Sequence, residues 1–279
     1  MKDSPLLSIC LISYNQEEFI LEALKGVAMQ EVDFEYELLI ADDRSTDQTP
    51  ALIREYISTG AIRRVRFLDR AANLGMQRNW HDALTQARGK YVALLEGDDY
   101  WTDRHKLSVQ VGFLEAHPQY AGCFHNTEER HRGSNHCVYA ILSVPQRHGC
   151  WHRDTGQEQR HAHLFTGFQD IGTAAHAEWF FTLKMVDWPF SIMNSQFGPY
   201  YYLPKVMGVH RLHSGSAWAC NQKDNLRYIG DAYRAMCDHF QHDQLFSEHL
   251  HKAYMQFGQQ DVPQKGYAGP AQRIRRAIS

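Results

Sequence analysis

Short apolar runs alternating with amphipathic stretches organise the first 120 residues. Leu6-Leu7-Ser8-Ile9-Cys10-Leu11-Ile12 is brief and mostly apolar, the pattern of a strand covered on both faces. Phe19, Ile20, Ala23, Leu24 and Val27 follow at helical spacing and predict a helix over 17–29. The alternation then repeats: strand 35–41, helix 47–58, strand 64–68, helix 77–87 closed by Gly89, strand 91–95, and helix 104–116 stopped at the His117-Pro118 step. Ser45 and Thr46 offer N-cap hydroxyls for the second of these helices. Repeated β-α units of this length imply a mostly parallel sheet with helices on both faces.

The second half is less regular. Strands are expected over 120–126, 135–144, 177–182 and 200–209, with a helix over 189–197 before the last. The stretch 146–160 is polar, His-rich and turn-like, which reads as a loop. After Trp218 the pattern turns helical, over 225–240 and 245–257, and the chain ends in a basic tail, Arg273-Ile274-Arg275-Arg276. Neither an internal repeat nor a low-complexity segment is present.

Two acidic clusters stand just after predicted strands. Asp42-Asp43-Arg44-Ser45-Thr46-Asp47 follows Glu37-Leu38-Leu39-Ile40, and Glu96-Gly97-Asp98-Asp99-Tyr100-Trp101 follows Tyr91-Val92-Ala93-Leu94-Leu95. Carboxylates at the ends of neighbouring strands converge on the crevice where α/β sheets bind ligands. Uncompensated carboxylates there repel, and a divalent cation carrying a phosphorylated ligand would offset that cost.

Composition narrows the classes. Hydrophobic residues make up 43% and the net charge is −3, which suits a globular enzyme and lacks the strong basicity of a nucleic-acid binder. Six scattered cysteines without a C-x-x-C pair predict reduced thiols and a cytoplasmic setting. No run of eighteen apolar residues and no signal-peptide pattern are found, so neither a membrane span nor export is expected. Eight histidines between His117 and His163 invite a zinc reading, but their spacing matches no compact ligand set.

The motifs resemble family-2 inverting glycosyltransferases. Ser13-Tyr14-Asn15 through Ile20 is similar to the family's "TYNxxxxL" opening, and Asp42 to Asp47 to its "DDGSTD" box. Asn73-Leu74-Gly75 with Arg78-Asn79 resembles "NLG…RN", and Glu96-Gly97-Asp98-Asp99 stands where the family has "DxDD". Asp187-Trp188 and Val209-His210-Arg211-Leu212-His213-Ser214-Gly215 resemble the later "(E)DW" and "VYRxHxG" boxes. Six boxes in order, spanning about 6–218, imply an α/β, GT-A (Rossmann-like) domain with a mixed, mostly parallel sheet flanked by helices. On this reading residues 1–120 form a nucleotide-sugar half, 121–218 an acceptor half with a lid, and 219–279 a C-terminal helical extension.

What the resemblance implies for residues is specific. A nucleotide-diphospho-sugar, UDP first, is expected to lie against Ile12, Tyr14, Asn15 and Asp43, with Asn73, Arg78, Asn79, Glu96 and Gly97 completing the donor side. Asp43 would accept hydrogen bonds from a uracil-like base beside the Tyr14 ring, or else cap the following helix. Asp42 is structural or part of the site in equal measure, and Asp47 reads as a first-turn acid. Asp98 is implied as ligand to Mg²⁺ or Mn²⁺, with Glu96 towards the ribose; Glu in place of the usual first Asp lengthens that reach. Asp99 assists or bonds backbone amides. Arg78 and Asn79 otherwise read as a solvated helix face, and Lys106 as structural.

Asp187 is the implied catalytic base, with a helix N-cap before Pro189 as the alternative and Glu178 as runner-up base. Trp188 would sit beneath a sugar ring or in the core. Arg211 and His213 are implied at the diphosphate, His213 also at the metal, with Trp218 anchoring a lid that excludes water. The acceptor is expected to be a cell-surface glycan or lipid-linked, with peripheral contact at the inner membrane through the basic tail and a homo-oligomer open. Rivals are a nucleotidyltransferase, which would want a Gly-rich basic phosphate loop, and a dinucleotide oxidoreductase, which would want G-x-G-x-x-G after the first strand. A non-catalytic nucleotide-sugar binder would keep Asp43 and Asp98 without needing Asp187.

Overall fold

A seven-residue strand buried along its whole length, β1 (Leu7–Ser13), is the axis of the fold. The computed structural model describes residues 4–68, 70–131, 137–140, 178–184, 187–194, 198–214, 222–242, 247–248 and 250–251. Two compact units divide the chain: 1–174 with 190–216, and 175–189 with 217–279.

In the first unit, β2 (Tyr36–Asp42) and β4 (Tyr91–Glu96) flank β1, and β3 (Val65–Phe67) lies outside β2. All these pairings are parallel, giving the order β3-β2-β1-β4. The chain steps outwards from β1 to β3 and then returns to the other side of β1 as β4. That reversal makes a switch point between β1 and β4, and crevices open at the carboxyl ends of strands there.

Helices α1 (Ile20–Ala28), α2 (Thr49–Ser58) and α3 (Met76–Gln86) connect these strands. The buried residues of α1, Ile20, Ala23, Leu24 and Val27, repeat at the spacing that drew the helix from the sequence. They join Ile9, Leu11, Leu38, Ile40 and Ile53 in one core. Each of the Ile, Leu and Val side chains among them contributes about 1.5–3 kcal/mol on burial.

Helix α2 starts later than its predicted position. Ser45 turns its hydroxyl to Asp42 and Thr46 its amide to Asn15, so neither caps the helix. Asp47 instead precedes the first turn and accepts the Thr49 and Glu17 amides, while Glu17 accepts that of Gln48. Pro50, which has no N–H to satisfy, marks the true start.

A second sheet, order β5-β8-β6-β7, contains β5 (Tyr100–Trp101), β6 (Gly122–His131), β7 (Cys137–Ala140) and β8 (Tyr200–Leu212). β6 and β8 run parallel, and both outer pairings are antiparallel. The register slips beside Asn126, opposite Pro204 and Lys205, because proline has no N–H for the ladder. α4 (Lys106–Ala116) follows β5, burying Leu107, Val111 and Leu114.

In the second unit the strand expected over 177–182 is instead a short helix, α5 (Glu178–Phe181). Phe180 is fully buried, and Trp179 packs on His239 with ring centroids 5.2 Å apart. A short aromatic run does not distinguish helix from strand by periodicity, and here local i−3 bonds from Thr182 to Trp179 win. α6 (Asp187–Asn194) spans the division between the units, and its Phe190, in the first unit, lies edge-on against Trp80 of the same unit. α7 (Gln222–His239) covers most of the first predicted C-terminal helix. Only 247–248 and 250–251 of the second fall among the described residues, all helical. The loop at 146–160 and the basic tail fall outside them.

Candidate functional site

The loops after β1 and β2 are laced together by their own motifs. Asn15 N–H donates to Ser45 Oγ at 2.9 Å, Thr46 N–H to Asn15 Oδ1 at 2.8 Å, and Gln16 N–H to Thr49 Oγ1 at 2.8 Å. Asn15 holds a left-handed φ of 52°, which aims its side chain across the gap. Asp42 accepts from Ser13 Oγ and from both the amide and hydroxyl of Ser45. Both its oxygens thus tie the two loops together.

Asp43 does not cap α2, the alternative read from the sequence. One carboxylate oxygen accepts the Leu74 amide at 2.7 Å and the other the Gly75 amide at 2.8 Å. Asn73 Nδ2 donates back to the Asp43 carbonyl at 2.8 Å. The residue therefore staples the loop before α3 to the end of β2 and does not cap α2. Each carboxylate oxygen can accept a second bond, so capacity towards a ligand remains. Gly75, at φ 81°, adopts a conformation that favours glycine.

Asn79 is buried, donating to the Ala41 carbonyl at 2.7 Å and accepting from Arg70 Nε at 3.0 Å. It locks α3 to β2. Arg78, one residue earlier, is exposed, as is Tyr14 at 49%.

At the end of β4 the backbone tightens. Gly97 N–H donates to the Ile12 carbonyl at 2.8 Å, and Asp99 N–H to that of Glu96 at 3.0 Å. A side chain at 97 would press on Gln16 Oε1 at 2.3 Å and Ser13 Cβ at 3.1 Å, so the Gln16 side chain would have to move to admit it. Glu96 is exposed, whereas Asp98 is buried.

β5 then pairs with β8, Tyr100 opposite Val209 and Trp101 opposite Gly208. This pairing brings two distant motifs together. His213 Nε2 lies 3.0 Å from Asp98 Oδ2, with its ring tilted against Phe19 at 4.6 Å. Asp98 Oδ1 is buried and has no hydrogen-bond partner. Asp99 Oδ1 accepts the Arg211 amide at 2.8 Å. Burial, and secondarily the Asp98 charge, pushes the Asp99 carboxyl well above the usual range.

Arg211 is a brace. Its guanidinium donates to the Asp98 carbonyl at 2.5 Å, pairs with Glu22, and stacks on Tyr100 at 4.3 Å. Glu22 and Phe19 take part in this cluster, and from sequence they read only as members of a helix. No signal beyond their position on α1 marks them.

Asp187 and Trp188 open α6, and Glu178 opens α5, but their side chains lie outside the described residues, as does Trp218 entirely. Among the described residues no three His, Cys, Asp or Glu side chains converge as a metal site. Asp98 and His213 meet there as a pair.

Comparison with known proteins places this geometry. An uncharacterized protein of Mycobacterium tuberculosis is 36% identical over 226 residues, 80% of this chain and 63% of its own length. The chain thus spans under two thirds of that relative. The poly(ribitol-phosphate) β-N-acetylglucosaminyltransferase TarS of Staphylococcus aureus is 32% identical over 113 residues, 39% of this chain and 19% of that protein. The fold matches the crystal structure of TarS 1-349 in complex with UDP-GlcNAc, with TM-score 0.62, 18% identity and coverage of 90% and 71% of the two chains. It also matches the mannosyltransferase PcManGT of Pyrobaculum calidifontis in complex with GDP-Man and Mn²⁺, with TM-score 0.52, 16% identity and coverage of 91% and 70%. The fold is therefore GT-A. With the glycosyl transferase family 2 model matching residues 8–172, the chain belongs to that family.

Proposed function

We propose that the chain is an inverting glycosyltransferase moving a sugar from a nucleoside diphosphate donor, UDP the first candidate, to a hydroxyl of a cell-surface glycan or lipid-linked acceptor. The observation that carries this reading is the Asp98 carboxylate, buried at a strand end with one oxygen unpartnered and His213 on the other. A buried acceptor without a donor costs stability and is retained where a ligand completes it. Asp98 and His213 would hold Mg²⁺ or Mn²⁺ together with the diphosphate of the donor. Such an ion supplies neutralisation of the charge that grows on the diphosphate as the glycosidic bond breaks.

The chain's residues do the rest. The exposed Tyr14 ring offers a flat face to the base, beside Asp43 and the loop it staples. Glu96 approaches the ribose from the end of β4. Asp187 takes the acceptor proton as the hydroxyl attacks the anomeric carbon, in a single displacement with inversion and no covalent intermediate. Trp188 is proposed for the sugar ring and Trp218 for the exclusion of water, as their motifs imply. The UDP-GlcNAc of TarS and the GDP-Man and Mn²⁺ of PcManGT support a nucleotide-sugar donor. A lipid-linked acceptor would bring the enzyme into peripheral contact with the cytoplasmic membrane face; among the described residues no helix is long and apolar enough to cross it.

The test is a screen of labelled UDP- and GDP-sugars with Mn²⁺, on the full chain and on Asp187→Asn. The wild type is expected to hydrolyse or transfer one donor, and the variant to bind nucleotide but lose turnover. Equal activity in the variant removes Asp187 from the role. Binding without turnover of any donor by the wild type makes the chain a nucleotide-sugar binder.

A further inference from the structure

Beside the loop after β2 lies a cavity of about 230 Å³, whose lining includes Asp42, Arg44 and Ser45 but not Asp43. Three arginines line it: Arg44, Arg54 and Arg70. Arg44 and Arg54 are exposed, and neither makes an ion pair among the described residues; Arg54 rests its guanidinium 5.1 Å over the Phe67 ring. Arg70 differs. Its side chain is only 8% exposed, it donates to Asn79 and Asp82, and its remaining nitrogen, Nη2, is buried without a partner.

The rest of the lining fits the same ligand. Pro50, Phe67 and Leu68 supply an apolar wall. Asp42 borders the cavity, but Ser13 and Ser45 already occupy both its oxygens. Arg44 holds a left-handed φ of 64°, a conformation an arginine rarely adopts, and it turns towards this cavity.

We propose that this cavity is a second anion site, distinct from the donor crevice, that takes a phosphate ester. The phosphate meets the Arg44, Arg54 and Arg70 guanidinium groups, whose forked donors match its oxygens. The organic part of the ester lies on Phe67 and Leu68. The site shares the Asp42–Ser45 segment with the staple at Asp43, so an occupied cavity stiffens the loop that borders the donor.

Calorimetry on the full chain, in EDTA and low salt, tests this with inorganic phosphate, glycerol 3-phosphate, a glycerol phosphate oligomer and glycerol. The comparison protein is Arg44→Gly/Arg54→Gln, with a thermal melt as the folding control. Glycerol 3-phosphate or the oligomer is expected to bind more tightly than phosphate, glycerol not at all, and the double variant to lose about tenfold or more in affinity. A preference for the monoester points to a free metabolite, and a preference for the oligomer to a polymer-borne diester. Binding of UDP with Mn²⁺ is expected to survive in the double variant. The proposal is overturned by absent saturable binding, by equal affinity in the double variant, by no gain of either ester over phosphate, or by parallel loss of UDP binding.

Discussion

The two acidic clusters stand at strand ends of one sheet and spend their carboxylates in opposite ways. At the first, all four oxygens of Asp42 and Asp43 accept from the protein's own donors. At the second, Asp98 gives one oxygen to His213 and keeps the other without a donor. Both pairs are acidic and largely buried, so acid content does not tell them apart. The count of protein donors per oxygen does. A carboxylate whose oxygens both accept from the protein holds its loops together, whereas an orphaned oxygen is left open to a partner from outside.

Asp98→Asn is the strongest way to break the comparison. It keeps the shape and removes the charge, so turnover with Mn²⁺ is expected to fall about 10²–10³-fold, while the melting temperature holds or rises. Nucleotide binding measured with and without EDTA should no longer differ. Full turnover in the variant would erase the distinction between the clusters. Asp43→Ala should behave in the reverse order. Two amides, of Leu74 and Gly75, lose their acceptor, and a urea titration is expected to show a loss of about 2–4 kcal/mol. Donor affinity should weaken only as a consequence of the loosened loop.

The difference between the clusters could not be read from the sequence, although much of the frame could. β1, β2 and β4 are continuous apolar runs because they are covered on both faces, and α1 shows its buried stripe directly. Asp98 and His213 stood out by motif. Their meeting did not, because it depends on β5, a two-residue strand too short for any period, pairing with residues more than a hundred positions away. The partners of Asp43 are backbone amides, which carry no side-chain signal at all. The same holds for Glu178–Phe181, where packing on α7 decided between two readings of one aromatic run. Local pattern reports burial; it does not report which donor a carboxylate will find.

Lys106 sharpens the comparison from the cationic side. It is buried, stacked over Trp101 at 4.2 Å and bonded to Gln110 at 2.6 Å. Burial pulls its ammonium down to about 7 from the ordinary 10.5. Between those values the unfolded chain carries a proton that the folded chain lacks, so stability rises with pH across the window. The cost is felt in full below pH 7. Lys106→Met is expected to raise stability near pH 6 by about 1–2 kcal/mol, after the lost ring contact is set against the relief. The gain should fade towards pH 10. A gain independent of pH would mean that packing, not charge, sets the effect.

The smallest expected effect falls on Ser45, the joint between the first cluster and the loop after β1. Its hydroxyl donates to Asp42 and accepts from the Asn15 amide, and Asp42 retains Ser13 Oγ and the Ser45 amide once that hydroxyl is gone. Ser45→Ala should therefore cost about 1 kcal/mol in a denaturant titration. Because Asp98 shares no donor with Ser45, the Mn²⁺ dependence of nucleotide binding should not move. A shift in that dependence would show that the two clusters are coupled, and that the satisfied pair does more than hold the loops.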